Sequence, residues 1–269
     1  MRRRQRESGS EGSGLGMTTG ASSWVVGHYD DYVTTKEDIP FFLAEAMRAH
    51  GPVLELMAGT GRVSRPLIKA GVTLTCIDIS GHMVQKLRDN LASEGLDARV
   101  IQANVSRLDL QERAHTLAIL PFQSFSELVT TDDQRATLKR VYEHLRPGGR
   151  FICTLPNPAQ VRRVVDQQLR LLGSFPCGDD GRTLLLWSAQ RYTADRAVVQ
   201  PLQVYQIYDA DERLQEQRKL EVRFRLTEYE EFANLAEAAG FHVVDTFGTY
   251  AREPYRSTSS PTMIVMLER

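Results

Sequence analysis

Apolar runs that end in a carboxylate or a glycine turn alternate along this chain with segments of helical periodicity. The sharpest is Val53-Leu54-Glu55-Leu56-Met57-Ala58-Gly59-Thr60-Gly61-Arg62. It reads as a buried strand that turns on Gly59 and Gly61 and starts a helix near Arg62, because glycine tolerates the positive φ such a turn needs. A helix start presents unpaired N–H groups, and glycines let a ligand lie against the backbone, so the turn predicts a nucleotide-type site. Ahead of it a helix is expected over 38–49, with Pro40 in its first turn. Behind it come a strand over 73–78 closing on Asp78, a helix over 82–93 and a short strand over 98–102. A strand over 116–120, a helix over 132–145, the sharp turn Pro147-Gly148-Gly149 and a strand over 150–155 follow. Strand and helix alternating through short loops predict an α/β fold with a doubly wound parallel sheet.

The pattern then changes. Between about 183 and 226 the residues alternate in three runs, 184–192, 202–208 and 219–226, separated by the polar turns Ala194-Asp195-Arg196 and Asp209-Ala210-Asp211-Glu212. They predict an antiparallel β insertion lying over the site as a cover. Thr227-Glu228-Tyr229-Glu230 has the form of a capping box opening a helix that stops at Gly240, and strands over 241–247 and 262–267 close the chain. Residues 1–23, rich in Arg, Ser and Gly, are expected to be a disordered tail in which Met17 offers an alternative start. The aromatic-rich stretch 24–32 opens a single domain over 24–269.

The 269 residues, with 42% hydrophobic and 25% charged residues, are those of a soluble globular protein with a substantial core. A net charge of -1 gives no pull toward nucleic acid, and the cluster from Arg2 to Arg6 reads as a solvated tail. No apolar run reaches the roughly 20 residues of a membrane span. The N-terminus lacks the apolar centre of a secretory signal, so a cytoplasmic location is expected. Cys76 and Cys153 fall in expected core strands and Cys177 in a loop, without CxxC spacing, so structural thiols and no metal site are expected.

Glu55 and Asp78 end neighbouring strands, where ligands bind in open α/β sheets, and a carboxylate in the second position suits the two hydroxyls of a ribose. No Lys-Ser/Thr follows Gly59-Thr60-Gly61, which excludes a triphosphate P-loop, and Ser64 leaves the dinucleotide fingerprint incomplete.

On these residues the chain from about Tyr29 to its C-terminus resembles the class I S-adenosylmethionine-dependent methyltransferases, in particular those acting on amino sugars and other secondary metabolites. The resemblance rests on the 53–62 run, Cys76-Ile77-Asp78-Ile79-Ser80-Gly81-His82-Met83, Gln102-Ala103-Asn104, Leu145-Arg146-Pro147-Gly148-Gly149 and the late Ala238-Ala239-Gly240-Phe241, in that order. It implies a Rossmann-like seven-stranded sheet with an antiparallel C-terminal strand, and S-adenosyl-L-methionine as cofactor. Gly59 and Gly61 would approach the cofactor with Glu55 and Met57 beside its methionyl arm. Asp78 would hold the ribose, Ile79 and Met83 would pack on adenine, Asn104 would bond its exocyclic amine, and Val105 and Leu120 would complete the slot. Such families usually have glycine where this chain has Met57 and aspartate where it has Asn104.

Leu120-Pro121-Phe122-Gln123-Ser124-Phe125-Ser126-Glu127 lacks the Asn/Asp-Pro-Pro-Tyr/Phe signature of enzymes that methylate nucleic-acid bases or glutamine, and resembles small-molecule N-methyltransferases instead. Tyr29, Glu127 and His28 are the candidates for a base, should the acceptor have to lose a proton. Against these roles, Tyr29 could only roof the cofactor, Glu127 could cap the helix near Asp132, and His28 could be a surface residue. His50, His144 and His242 read as structural, and His82 and His115 have no metal-ligand partner nearby in sequence. Trp187, Tyr192, Tyr205 and Tyr208 fit an insertion packed on the site, and equally the inner face of a small sheet or a dimer contact. The leading expectation is methyl transfer to a small molecule, with nitrogen favoured, by a monomer or homodimer. The alternatives are use of the aminocarboxypropyl arm with release of methylthioadenosine, and cofactor binding without catalysis.

Overall fold

In the computed structural model, residues 23–193 and 197–269 are described; residues 1–22 of the expected tail over 1–23 and the turn Ala194-Asp195-Arg196 lie outside the described residues, and Ser23 opens a helix. The chain opens with α1 (Ser23–Tyr32) and α2 (Ile39–Ala49), then β1 (Val53–Leu56), α3 (Ser64–Lys69), β2 (Leu74–Asp78), α4 (Gly81–Ser93), β3 (Arg99–Gln102) and β4 (His115–Leu120). It continues through α5 (Thr131–His144), β5 (Leu145–Pro156) and α6 (Pro158–Arg162) into β6 (Arg170–Cys177), β7 (Arg182–Tyr192), β8 (Val198–Tyr208), β9 (Leu214–Glu221) and β10 (Phe224–Arg225). It closes with α7 (Tyr229–Ala238), β11 (His242–Phe247) and β12 (Thr262–Glu268).

The main sheet has seven strands in the order β11-β12-β5-β4-β1-β2-β3. β3, β2, β1, β4 and β5 run parallel, and β12 lies antiparallel to both β5 and β11. The chain winds outward from β1 to β3 and then returns to start β4 on the other side of β1. The crevice beyond the C-terminal ends of β1 and β4 is therefore the switch point where such sheets bind ligands. β1 and β4 are buried along their whole length, as mainly apolar strands covered on both faces should be. One face packs against α5 and α7 through Leu138, Val141, Phe232 and Leu235; the other packs against α2, α3 and α4 through Phe42, Leu67 and Leu87.

The expected turn at Pro147-Gly148-Gly149 is instead a bulge inside β5. His115 pairs with Leu145 and Leu117 with Arg150, and the intervening residues fold onto the chain end, where Gly148 N–H donates to Arg269 O at 2.9 Å and Arg269 N–H to Gly149 O at 2.9 Å. Partners distant in sequence supply what a local turn would have supplied.

The antiparallel insertion starts at Arg170, earlier than expected, and has five strands, with β8 flanked by β7 on one side and by β9 and β10 on the other. Gly173 and Pro176 hide β6 from a sequence reading, yet an edge strand tolerates both. Cys177 is thus the buried last residue of β6 and not part of a loop. The expected capping box is also not formed: Thr227 Oγ1 accepts from Gln134 Nε2 at 3.0 Å, and the residue preceding α7 is Glu228.

The stretch 24–32 is a helix, although its sequence has no helical periodicity. Both of its sides are covered, so no polar face interrupts it: Val26 packs on Met83 of α4, while Trp24 and Tyr32 pack on Tyr205, Leu184 and Ile207 of the second sheet. The insertion therefore covers α1, and α1 covers the crevice. Among the described residues no helix is long and apolar enough to cross a membrane. Tyr205, 1% exposed, lies 5.6 Å from the Trp24 ring and 5.5 Å from that of Tyr32. Tyr205→Ala is expected to destabilise the protein by about 3 kcal/mol and Tyr205→Phe by about 1 kcal/mol, read from thermal unfolding.

Candidate functional site

The crevice is built on a backbone that alternates into the left-handed region, with Met57 at φ 55°, Gly59 at 59° and Gly61 at 92°. The two glycines serve different ends. A Cβ on Gly59 would meet nothing within 4 Å, so glycine there supplies the positive φ and clearance on the crevice side. A Cβ on Gly61 would come within 2.2 Å of Leu87 Cδ1, so glycine there lets the turn pack on α4. The turn is tied to β2 by Asp78, whose Oδ2 accepts from Gly59 N–H at 2.8 Å while Oδ1 accepts from Ser80 N–H at 2.9 Å. Burial pushes the Asp78 pKa up and these backbone donors oppose the rise.

α1 is pinned across the turn. Asp30 Oδ1 accepts from Thr60 Oγ1 at 2.5 Å and Oδ2 from Asn90 Nδ2 at 3.2 Å, while Asn90 also donates to Thr60 O at 3.0 Å. This brings Tyr29 over the crevice within electrostatic reach of Glu127, Arg62 and Asp78. Burial pushes the Tyr29 pKa well up and the carboxylates of Glu127 and Asp78 add to it, so at neutral pH the phenol keeps its proton and can donate a hydrogen bond. Glu127 closes the short helical turn 124–127 after β4, and α5 is capped by Thr130, whose Oγ1 accepts from Asp133 N–H at 3.1 Å. Capping is therefore not what Glu127 does. His28 is directed elsewhere: its Nδ1 lies 3.1 Å from Asp31 Oδ2 and 3.2 Å from Cys177 Sγ, against the second sheet.

The methionyl end implied by the resemblance is a narrow cavity of about 30 Å³, lined by Tyr29, Glu55, Met57, Gly59, Arg62 and Phe122 among others. Glu55 is pushed up to about 8 by burial, although Ser64 Oγ donates to its Oε2 at 2.6 Å. Arg62 donates to both oxygens of buried Asp38 at 2.5 and 2.6 Å, with its guanidinium 4.8 Å from the Phe122 ring centre. Neither this pair nor the Asp30–Thr60–Asn90 set carries a sequence signal, because the partners stand 24 to 60 residues apart.

On the adenine side the expected residues divide. Ile79 is partly exposed beside Asp78, and Met83 is buried under α1. Asn104 Oδ1 already accepts from Ser106 N–H and Ser106 Oγ, both at 2.8 Å, so this amide orientation offers the Nδ2 donor to a ligand in place of the expected acceptor. Val105 and Leu120 are buried in the core beneath the crevice. His144 is structural, its Nε2 accepting from Leu110 N–H at 2.8 Å.

Gly61→Ala is expected to cost the ligand-free protein about 2 kcal/mol or more, and Gly59→Ala about 1 kcal/mol, by denaturant titration. Glu55 favours the fold most while protonated. Its contribution is complete below the ordinary value of 4.5 and is lost as pH rises through about 8. Glu55→Gln should remove a few kcal/mol of the stability loss between about pH 5 and about pH 8, measured as unfolding free energy across that range.

Residues 53–149 match a family described as a methyltransferase domain. A cypemycin N-terminal methyltransferase from a Streptomyces species is 28% identical over 227 residues, spanning 81% of this chain and 82% of that protein. The CcbJ methyltransferase from Streptomyces caelestis superposes with a TM-score of 0.78 at 22% identity, over 93% of this chain and 98% of its own. CalS10, an amino pentose methyltransferase from Micromonospora echinaspora solved with S-adenosylmethionine bound, gives 0.69 at 16% identity over 90% and 94%. With the switch-point crevice, the glycine turn and the Asp78 anchor in place, residues 53–149 are a methyltransferase domain and the chain is an S-adenosylmethionine-dependent methyltransferase.

Proposed function

We propose that this enzyme methylates an amine nitrogen of a small molecule of secondary metabolism. The observation that carries the reading is a cavity of about 770 Å³ that shares Phe122 with the narrow cleft. Its walls include Phe41, Phe122 and Tyr250, with the carboxylate of Glu37 at its side and Asp38 already paired with Arg62. Aromatic faces beside acidic groups favour a cationic or amine-bearing guest over an anionic one. The N-terminal methyltransferase and the amino pentose methyltransferase among the similar proteins point the same way.

The residues fit the cofactor. Asp78 accepts from the backbone N–H groups of Gly59 and Ser80, with Ile79 N–H also acting on it, and its carboxylate is the acceptor for a ribose hydroxyl. Gly59 leaves its crevice side clear, and the buried carboxyl of Glu55 lies where an α-ammonium group would find a partner. Bound S-adenosylmethionine supplies an activated methyl group on a sulfonium, so the protein's task is alignment of the acceptor. Tyr29 lines the narrow cleft within electrostatic reach of Glu127, and the two take complementary roles: the phenol, held protonated, donates to and orients the acceptor, and the carboxylate receives the proton that the amine gives up.

A second reading, transfer or internal cyclisation of the aminocarboxypropyl arm, is favoured by Met57, a non-glycine residue at φ 55° lining the methionyl end. Calorimetry should give a micromolar Kd for S-adenosylmethionine, weakened more than about tenfold by Asp78→Ala. Mass spectrometry of reactions with a library of amines should find methylated amine with S-adenosylhomocysteine. Methylthioadenosine as the product would replace the first reading by the second.

A further inference from the structure

Helix α1 carries a second constellation on the side turned away from the crevice. His28 and Asp31, one turn apart, present Nδ1 and Oδ2 toward Cys177 at the end of β6, and the three donor atoms all lie within 4.8 Å of one another. We propose that His28, Asp31 and Cys177 bind a divalent transition-metal ion of the zinc type that clasps α1 to the second sheet.

The geometry separates this from a proton relay. In a thiol–imidazole–carboxylate relay, the thiol and the carboxylate sit on opposite ring nitrogens. Here both address the same one: Asp31 Oδ2 lies 3.1 Å and Cys177 Sγ 3.2 Å from His28 Nδ1. A single ring nitrogen carries one hydrogen or one lone pair and bonds one partner at a time, while the Cys177 thiol also hydrogen-bonds to Asp31, so each of the three groups faces the other two. Three donors converging on one point is the arrangement of ligands around an ion. Tetrahedral ligands at zinc distances stand about 3.3–3.6 Å apart, so the two spacings from His28 Nδ1 need to open by only about half an ångström, with the Asp31–Cys177 spacing within 4.8 Å.

The chemistry of the set agrees. One thiolate, one imidazole and one carboxylate are all ligand types that zinc accepts, and three protein ligands leave a fourth position for water. Cys177 is 1% exposed while the His28 and Asp31 side chains keep 20% and 28%, so the open position faces solvent. Burial with nearby Asp31 pushes the Cys177 pKa up to about 11, so the metal-free group is a thiol. Binding breaks the S–H bond, forms the sulfur–metal bond and releases one proton to solvent, with no change of oxidation state. The neighbouring charges are compensated: Arg182 is paired with Asp180 at 2.8 Å, and Glu216 accepts from Trp24 Nε1 at 2.8 Å and pairs with Arg218. Because Tyr29 and Asp30 lie between the two α1 ligands, an ion here would hold in place the helix that roofs the crevice.

The test needs no methyl transfer. Chelator-treated full-length protein is titrated with Co²⁺ and followed by absorption. The expected result is one equivalent bound, with a near-ultraviolet thiolate-to-cobalt band and the visible bands of a four-coordinate site. Cys177→Ser should abolish the near-ultraviolet band, and Asp31→Asn, at a partly exposed position, should weaken binding by more than about tenfold. Cys153→Ala, at a thiol buried far from these ligands in sequence, should leave the spectrum unchanged. Zn²⁺ should raise the Tm of the wild type and not of Cys177→Ser. Wild-type protein folded by circular dichroism that binds no Co²⁺, or a thiolate band that survives Cys177→Ser, would overturn the proposal.

Discussion

The crevice depends on one buried carboxylate. Asp78 ends β2 and reaches sideways to the turn after β1, one oxygen on Gly59 N–H and the other on Ser80 N–H. This single side chain sets the relation between the glycine turn and the start of α4, whose Ser80 cap accepts from Met83 N–H. Charge-assisted bonds to backbone donors are among the stronger polar contacts, and here they offset the cost of burying the group. The parallel ladder fixes the separation of β1 and β2, and these bonds extend the tie past the strand ends to the glycine turn.

A second layer rests on that turn. Asp30 binds Thr60 and Asn90, Arg62 locks onto Asp38 ahead of α2, and the second sheet presses Tyr205 against Trp24 and Tyr32. The insertion thus reaches the crevice through α1. Tyr29 is held at the narrow cleft, within electrostatic reach of Glu127, because both sides of α1 are covered.

Two residues hold unfavourable states at this site. Met57 adopts a left-handed backbone that costs a non-glycine residue about 1–2 kcal/mol. Its side chain recovers part of that by packing on the core beside Leu54 and Leu56. Glu55 is buried as a carboxyl pushed up to about 8, bonded to Ser64. Both line the narrow cleft, and both are states that a bound ligand could relieve.

The main sheet was legible in the sequence because its strands are apolar on both faces and its turns carry glycine, so the 53–62 and 73–78 runs, Asp78 and the family resemblance followed from local residue order. Positions that act through partners far along the chain were not legible. Helix α1 is stabilised by contacts with α4 and β8, β6 survives Gly173 and Pro176 by pairing with β7, and Pro147-Gly148-Gly149 becomes a bulge by bonding Arg269. The site divides in the same way. Sequence chemistry placed Gly59 in the turn after β1 and Asp78 at the end of β2; only the tertiary structure decided that Gly61 serves Leu87, that Val105 and Leu120 belong to the core, and that His28 turns to Cys177. The physical reason is that periodicity and turn chemistry record a residue's near neighbours, whereas burial, charge pairing and side-chain direction are set by segments that meet only in the folded chain.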